Sequence, residues 1–173
     1  MGRVEVVAGC MYAGKSQELI RRLRRAEYAK QKIQCFKPDI DTRYSTDIHT
    51  HTDERFPSTL VPKDNAAALL DLVEEGCEVV GIDEAQFFDD GVVRVARTLA
   101  ARGCRVIVAT LDLDFTGKPF GPTPFLLADA EEILKLTAVC VVCGSDATRT
   151  QRVTDSREQV VVGSDNVYEA RCF

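Results

Sequence analysis

The chain has 173 residues, 45% hydrophobic and 28% charged, with no tryptophan and a formal net charge of -5. That length suits one compact domain with at most a small appendage, and the ordinary apolar and charged fractions exclude whole-chain disorder and collagen-like structure. No apolar run reaches the roughly 20 residues of a membrane helix, the start MGRVEVVAG does not read as a secretory signal, and the acidic balance argues against a nucleic-acid partner.

Residues 3–8 (RVEVVA) read as a strand, followed by a glycine-rich turn and a helix over about 16–30. On that helix Leu19, Ile20, Leu23 and Ala26 recur at helical spacing, opposite Arg21, Arg22, Arg24 and Arg25, which read as a solvated or subunit-facing surface. Residues 32–37 form a second strand, 64–75 a helix and 78–82 a buried third strand. Val92, Val93, Ala96, Leu99 and Ala100 mark the next helix, and 104–109 a fourth strand. A fifth strand over about 132–137 leads into a tail from residue 138 that reads as a small β-rich subdomain. Strand–helix alternation implies a parallel sheet with helices on both faces. The polar stretches 39–58 and 110–124 are long for loops in a compact domain, and such loops usually carry function.

The strongest local motif is GCMYAGKS at 9–16, which fits G-x-x-x-x-G-K-[ST] between a strand and a helix. Gly9 and Gly14 let the backbone curl, so that N–H groups of the loop through Cys10, Met11, Tyr12 and Ala13 face phosphate oxygens. Lys15 supplies a charge for the terminal phosphates and Ser16 a hydroxyl for magnesium. VVGIDE at 79–84 supplies the apolar strand ending in an aspartate that belongs on a neighbouring strand. Asp83 is the magnesium carboxylate, and Glu84 is placed to take a proton from an attacking oxygen. A glutamate there activates water in an ATPase or a hydroxyl in a kinase equally well, and a nucleotide-binding module without turnover is a third alternative.

Seven cysteines without a signal point to free or metal-bound thiols rather than disulfides. Cys10, Cys35, Cys77 and Cys104 read as small buried side chains. Cys140 and Cys143 have the spacing of half a zinc site, with Cys172 as a third ligand. The alternative is reduced structural thiols. A closed site needs a fourth ligand: it lies beyond Phe173, or another group supplies it, or the site is empty.

Six blocks occur in order: GCMYAGKS at 9–16, IDEAQFF at 82–88, LDLDFTGKPFG at 111–121, KLTAVC at 135–140, CGSDATRTQR at 143–152 and YEARC at 168–172. Together they resemble the cytosolic, zinc-containing (type II) thymidine kinases, in the bacterial style, over nearly the whole chain. The resemblance implies a P-loop NTPase-type parallel sheet flanked by helices over 1–137, with a small β-rich zinc-binding lid over 138–173. It implies transfer of the γ-phosphate of ATP to the 5′-hydroxyl of thymidine in the cytoplasm, by a homotetramer with magnesium, a structural zinc and no nucleic-acid or membrane partner. Glu84 then matches the general base and Asp83 the magnesium carboxylate. Ala85 and Gln86 fall in the same nucleotide-contacting stretch, and Arg43 near the phosphates. Phe115 and Tyr168 match nucleoside-contacting aromatics, and Met11, Phe87, Leu111 and Phe120 wall the base pocket. Thr150 lies near the 5-methyl group, and the backbone of Gln159, Val160, Val161, Val162 and Gly163 grips the base edge. The family continues past the last matched cysteine to a fourth Cys or His.

Overall fold

The computed structural model describes residues 2–40, 47–49, 54–155, 158–159, 161 and 167–173. Six parallel strands form one sheet: β1 (Arg3–Gly9), β2 (Ile33–Asp39), β5 (Thr59–Pro62), β6 (Val79–Ile82), β7 (Arg105–Leu111) and β8 (Glu132–Leu136). Their spatial order is β5-β2-β6-β7-β1-β8. The strand bearing the Asp83 motif is therefore not the immediate neighbour of β1, as the sequence suggested; β7 lies between them. Between β2 and β5 a two-strand ladder, β3 (Ile48–His49) with β4 (Arg55–Phe56), packs Ile48 and Phe56 into the core.

Helix α1 (Lys15–Tyr28) covers one face of the sheet through Leu19, Ile20, Leu23 and Ala26. The other face carries a 3-10 turn (Ala66–Ala68), the short α2 (Leu69–Leu72), α3 (Gly91–Ala101) and α4 (Thr123–Asp129). The helix expected over 64–75 breaks early for a visible reason. The Gln34 carboxamide on β2 donates to the Leu72 carbonyl at 3.1 Å and accepts from the Glu74 amide at 2.7 Å, replacing helical bonds. Helix α4 and strand β5 were not expected. Pro122 at the N-cap and Pro124 in the first turn are helix-starting prolines that read as loop residues in the sequence.

The tail is two small antiparallel ladders, β9 (Ala138–Val139) with β10 (Asp146–Ala147) and β11 (Arg149–Arg152) with β12 (Tyr168–Arg171). It does not stand apart from the sheet. Ala138, Cys140, Ala147 and Ala170 form one cluster with Cys10 of the loop after β1, against which Tyr12, Ala13 and Cys172 pack.

One expectation on α1 is corrected. Arg22 is not a solvated member of an arginine face. It is buried and paired with Glu5 on β1 at 2.6 Å, Glu18 at 2.8 Å and Glu132 at 2.8 Å. Glu5 is itself fully buried and also receives Arg105 at 2.6 Å and Arg3 at 2.7 Å. Its burial favours the neutral acid, but hydrogen bonds from Arg105, Arg3 and Arg22 outweigh that and hold the carboxyl down at about 2, from an ordinary 4.5. The resulting stabilisation is present above the ordinary value and is lost as pH falls from 4.5 toward about 2. Replacing Glu5 by Gln leaves the buried Arg22 and the partly buried Arg105 short of a counter-charge and should cost about 3–5 kcal/mol. Denaturant unfolding of E5Q and wild type between neutral and acid pH measures both the loss and its shrinkage on acidification.

Candidate functional site

All six strands point the same way, so the segments that follow β1, β2, β6, β7 and β8 gather at one edge, where ligands of open parallel sheets bind. The turn after β1 is shaped by two glycines. Gly9 has φ +154°, and a Cβ there would lie 2.4 Å from the Leu136 carbonyl oxygen of β8. Gly14 holds φ +84° as it enters α1. Neither position accepts a side chain without strain, and between them the loop curls around a space for anions.

Lys15 and Ser16 open α1. The Lys15 ammonium donates to the Cys10 carbonyl at 2.7 Å, across the mouth of the loop. Burial pulls it below its ordinary value, against the opposing charges of Glu84 and Asp83. The Ser16 hydroxyl lies 3.2 and 3.1 Å from the two Asp83 oxygens, reaching over β7 from α1 to the end of β6. Asp83 is buried, and desolvation together with the negative charge of Glu84 raises its carboxyl to about 7. A hydroxyl and a carboxylate converging in this way are the hard oxygen donors that suit magnesium, whose charge would keep Asp83 ionised.

Glu84 sits at φ 52°, ψ 39°, a left-handed conformation that is strained for a residue with a Cβ. A polar chain behind it fixes that geometry. The Gln86 amide donates to the Glu84 carboxylate, and its own oxygen accepts from the Leu111 amide at 3.0 Å and Thr110 at 3.3 Å. The Thr110 and Thr123 hydroxyls are 2.7 Å apart, and Thr123 donates to the Leu111 carbonyl at 2.9 Å. Ala85 and Gln86 are buried beneath the edge. Sequence reasoning passed over Thr110 and Thr123. It also passed over Lys37, which follows Phe36, the partner of Ile82, and therefore stands beside Asp83. The signal was a lysine one residue before the proline of an apolar strand.

The expected nucleoside residues fall into three groups. The Phe87 and Phe120 rings meet edge-on, with centroids 5.5 Å apart at 84°, and Leu111 is bonded through its amide to Gln86, the residue before Phe87. Met11 is tied to the tail, its amide donating to Thr150 Oγ1 at 3.0 Å, while the Tyr12 hydroxyl donates to the Tyr168 carbonyl at 3.1 Å. Phe115, Tyr168 and Gln159 contact the buried Arg152, which the sequence did not single out, and Val161 is tied to the same group through the Tyr168 hydroxyl. Arg43, Val160, Val162 and Gly163 lie outside the described residues.

In the tail, Cys140, Cys143 and Cys172 place their sulfurs within 4.8 Å of one another, Cys143 and Cys172 at 3.7 Å. Amides of Cys143, Cys172 and Val142 point at the Cys140 sulfur and lower its thiol to about 6. Three converging thiols, one already inclined to ionise, fit a soft tetrahedral ion such as zinc.

The thymidine kinase family model matches residues 2–173. The chain belongs to the thymidine kinase family. A thymidine kinase of Bacteroides thetaiotaomicron is 49% identical over 172 residues, 99% of this chain and 85% of that relative. Among solved structures, the Thermotoga maritima RuvB Holliday junction branch migration motor aligns with a TM-score of 0.44 at 16% identity. That alignment covers 82% of this chain but only 39% of the motor, so the chain spans about two-fifths of its length. Membership of the family makes this chain a kinase, and the grouping of Lys15, Ser16, Asp83 and Glu84 at one sheet edge accords with phosphoryl transfer.

The metal reading has a direct check. Purified chain should carry about one zinc, and Cys143→Ser should lose most of it. Because Cys140 shares a cluster with Cys10, the variant should also bind ATP more weakly. Elemental analysis and nucleotide titration decide both points, and zinc content unchanged in the variant would remove the three-thiol assignment.

Proposed function

We propose that the chain transfers the γ-phosphoryl group of magnesium ATP to the 5′-hydroxyl of thymidine, giving dTMP and ADP. The observation that carries this is the attachment of the tail to the phosphate loop, through Met11 to Thr150 and Tyr12 to Tyr168, in a member of the thymidine kinase family. An ATPase needs only the phosphate loop, a metal carboxylate and a base. Here the residues matched to nucleoside recognition are hydrogen-bonded to the loop itself, which favours a second substrate beside the triphosphate.

In this reading the amides of residues 9–14 cradle the phosphates, Lys15 moves from the Cys10 carbonyl to the transferring group, and Arg43 stands near the same phosphates. Ser16 and Asp83 hold magnesium, which neutralises charge on the phosphates when bound. Glu84, held by Gln86, accepts the proton of the attacking 5′-hydroxyl. Met11, Phe87, Leu111 and Phe120 enclose the base, Phe115 and Tyr168 contact the nucleoside, Thr150 sits by the 5-methyl group, and residues 159–163 grip the base edge. Residues 1–137 act as the nucleotide-binding domain and 138–173 as a zinc-braced lid that excludes water from the phosphoryl group. A cytoplasmic homotetramer completes the reading. Among the described residues, no helix is long and apolar enough to cross a membrane.

The test is ADP release from magnesium ATP with and without thymidine. Release that requires thymidine supports the kinase, and equal release without it makes Glu84 the water-activating residue of an ATPase. Glu84→Gln should lower turnover by on the order of 10²-fold or more while ATP binding stays near wild type. An unaltered rate would mean another group takes the proton.

A further inference from the structure

We infer that Arg152 is the positioning residue of the nucleoside side, holding the Phe115 ring, the Tyr168 phenol and the backbone of Glu158 and Gln159 directly, and Val161 through Tyr168, in one arrangement; this rests on the thymidine kinase reading above. Arg152 is 5% exposed at the end of β11, opposite Tyr168 in the β11–β12 ladder. Its guanidinium carbon lies 3.8 Å from the centroid of Phe115 and 5.2 Å from that of Tyr168. One terminal nitrogen donates to the Tyr168 hydroxyl at 2.8 Å and to the Gln159 carbonyl at 3.0 Å, and the other donates to the Glu158 carbonyl.

The second layer of contacts closes the clamp. The Tyr168 hydroxyl donates to the Val161 carbonyl at 3.0 Å and lies 3.3 Å from the Val161 amide. The Gln159 amide donates to Asp114 at 3.2 Å, beside Phe115. Asp114 in turn accepts from Thr116 and Lys118, which fixes the turn that carries Phe115. The loop after β7 and the tail therefore meet at the buried Arg152 guanidinium and at the Gln159–Asp114 bond beside it.

Only arginine fits these demands. A flat guanidinium covers an aromatic face and forks toward two carbonyls and a phenol in its own plane, whereas an ammonium offers a point charge with no plane. The groups it holds are those assigned to the nucleoside. None of Lys15, Ser16, Asp83 and Glu84 is among the partners named here, so its loss should be felt by thymidine and not by ATP.

The experiment compares R152M and R152K with wild type in the full zinc-containing chain, using steady-state kinetics in both substrates and hydrogen exchange of the 153–161 region without nucleoside. The expected result is a thymidine KM raised on the order of 10-fold or more in both variants, with the ATP KM within about twofold. R152K should recover little, because charge alone does not rebuild the fork. Exchange at the Val161 amide should speed up in both. A thymidine KM near wild type, a parallel rise in both KM values, or unchanged exchange would each overturn the clamp. Wild type that fails to phosphorylate thymidine would instead remove the kinase reading, and the exchange comparison would still decide whether Arg152 orders Glu158, Gln159 and Val161.

Discussion

The phosphate loop is caught between two surfaces. On one side Gly9 passes so near the Leu136 carbonyl of β8 that no side chain fits. On the other, Cys10 donates its thiol to the Ala147 carbonyl at 3.2 Å, Met11 its amide to Thr150 and Tyr12 its hydroxyl to Tyr168. An anion cradle made of backbone amides works only if those amides stay aimed, and a free glycine-rich loop would lose that aim to entropy. Here the sheet and the tail fix it from both sides. The contacts that steady the phosphate site are thus the ones that set the distance to whatever the tail binds.

Charge is arranged in two tiers. At the middle of β1, the fully buried Glu5 gathers three arginines in a network that ties α1, β7 and β8 together and leaves its carboxylate ionised. At the edge, Asp83 and Glu84 stand side by side, and buried Asp83 is pushed the other way, to about 7. The first network satisfies itself within the fold. The second holds negative charge that a cation would relieve, and the left-handed backbone at Glu84 is kept in place by the Gln86–Thr110–Thr123 chain. Strain and crowded, desolvated charge both collect at the edge where the chemistry is proposed, while the charges beneath are paired within the fold.

What was legible in the sequence follows from this division. The phosphate loop could be read because its geometry depends on glycines and a following helix, all local in sequence. The strand before Asp83 and the converging cysteines were legible for similar reasons of spacing. Strand order was not, because nothing within β6 records that β7 slides between it and β1. Arg22 looked like one of four equivalent arginines, and its burial is set by a glutamate 17 positions away on β1. A lone Glu in the apolar run RVEVVA was the available signal. Arg152 carried no motif signal of its own: its partners come from the loop after β7 and from residues that follow it in the tail. Helix α4 hid behind prolines, and the expected 64–75 helix was undone by one carboxamide from another strand.

The composition of the tail cluster accords with the proposed metal. Its buried members are Cys10, Ala138, Cys140, Ala147 and Ala170, all small, so the apolar area they remove from water is slight. Val139, Val141 and Val142 around the thiols are exposed and add nothing to that core. Two short ladders with so little burial fall short of the entropy cost of ordering them. A structural zinc held by such thiols supplies folding free energy on the order of 10 kcal/mol in small domains, a contribution in the direction this tail needs. Since Cys10 of the phosphate loop belongs to the same cluster as Cys140, a metal held by the tail thiols would steady the loop as well. In the proposed enzyme, metal content and nucleotide affinity would in this way be properties of one packed unit.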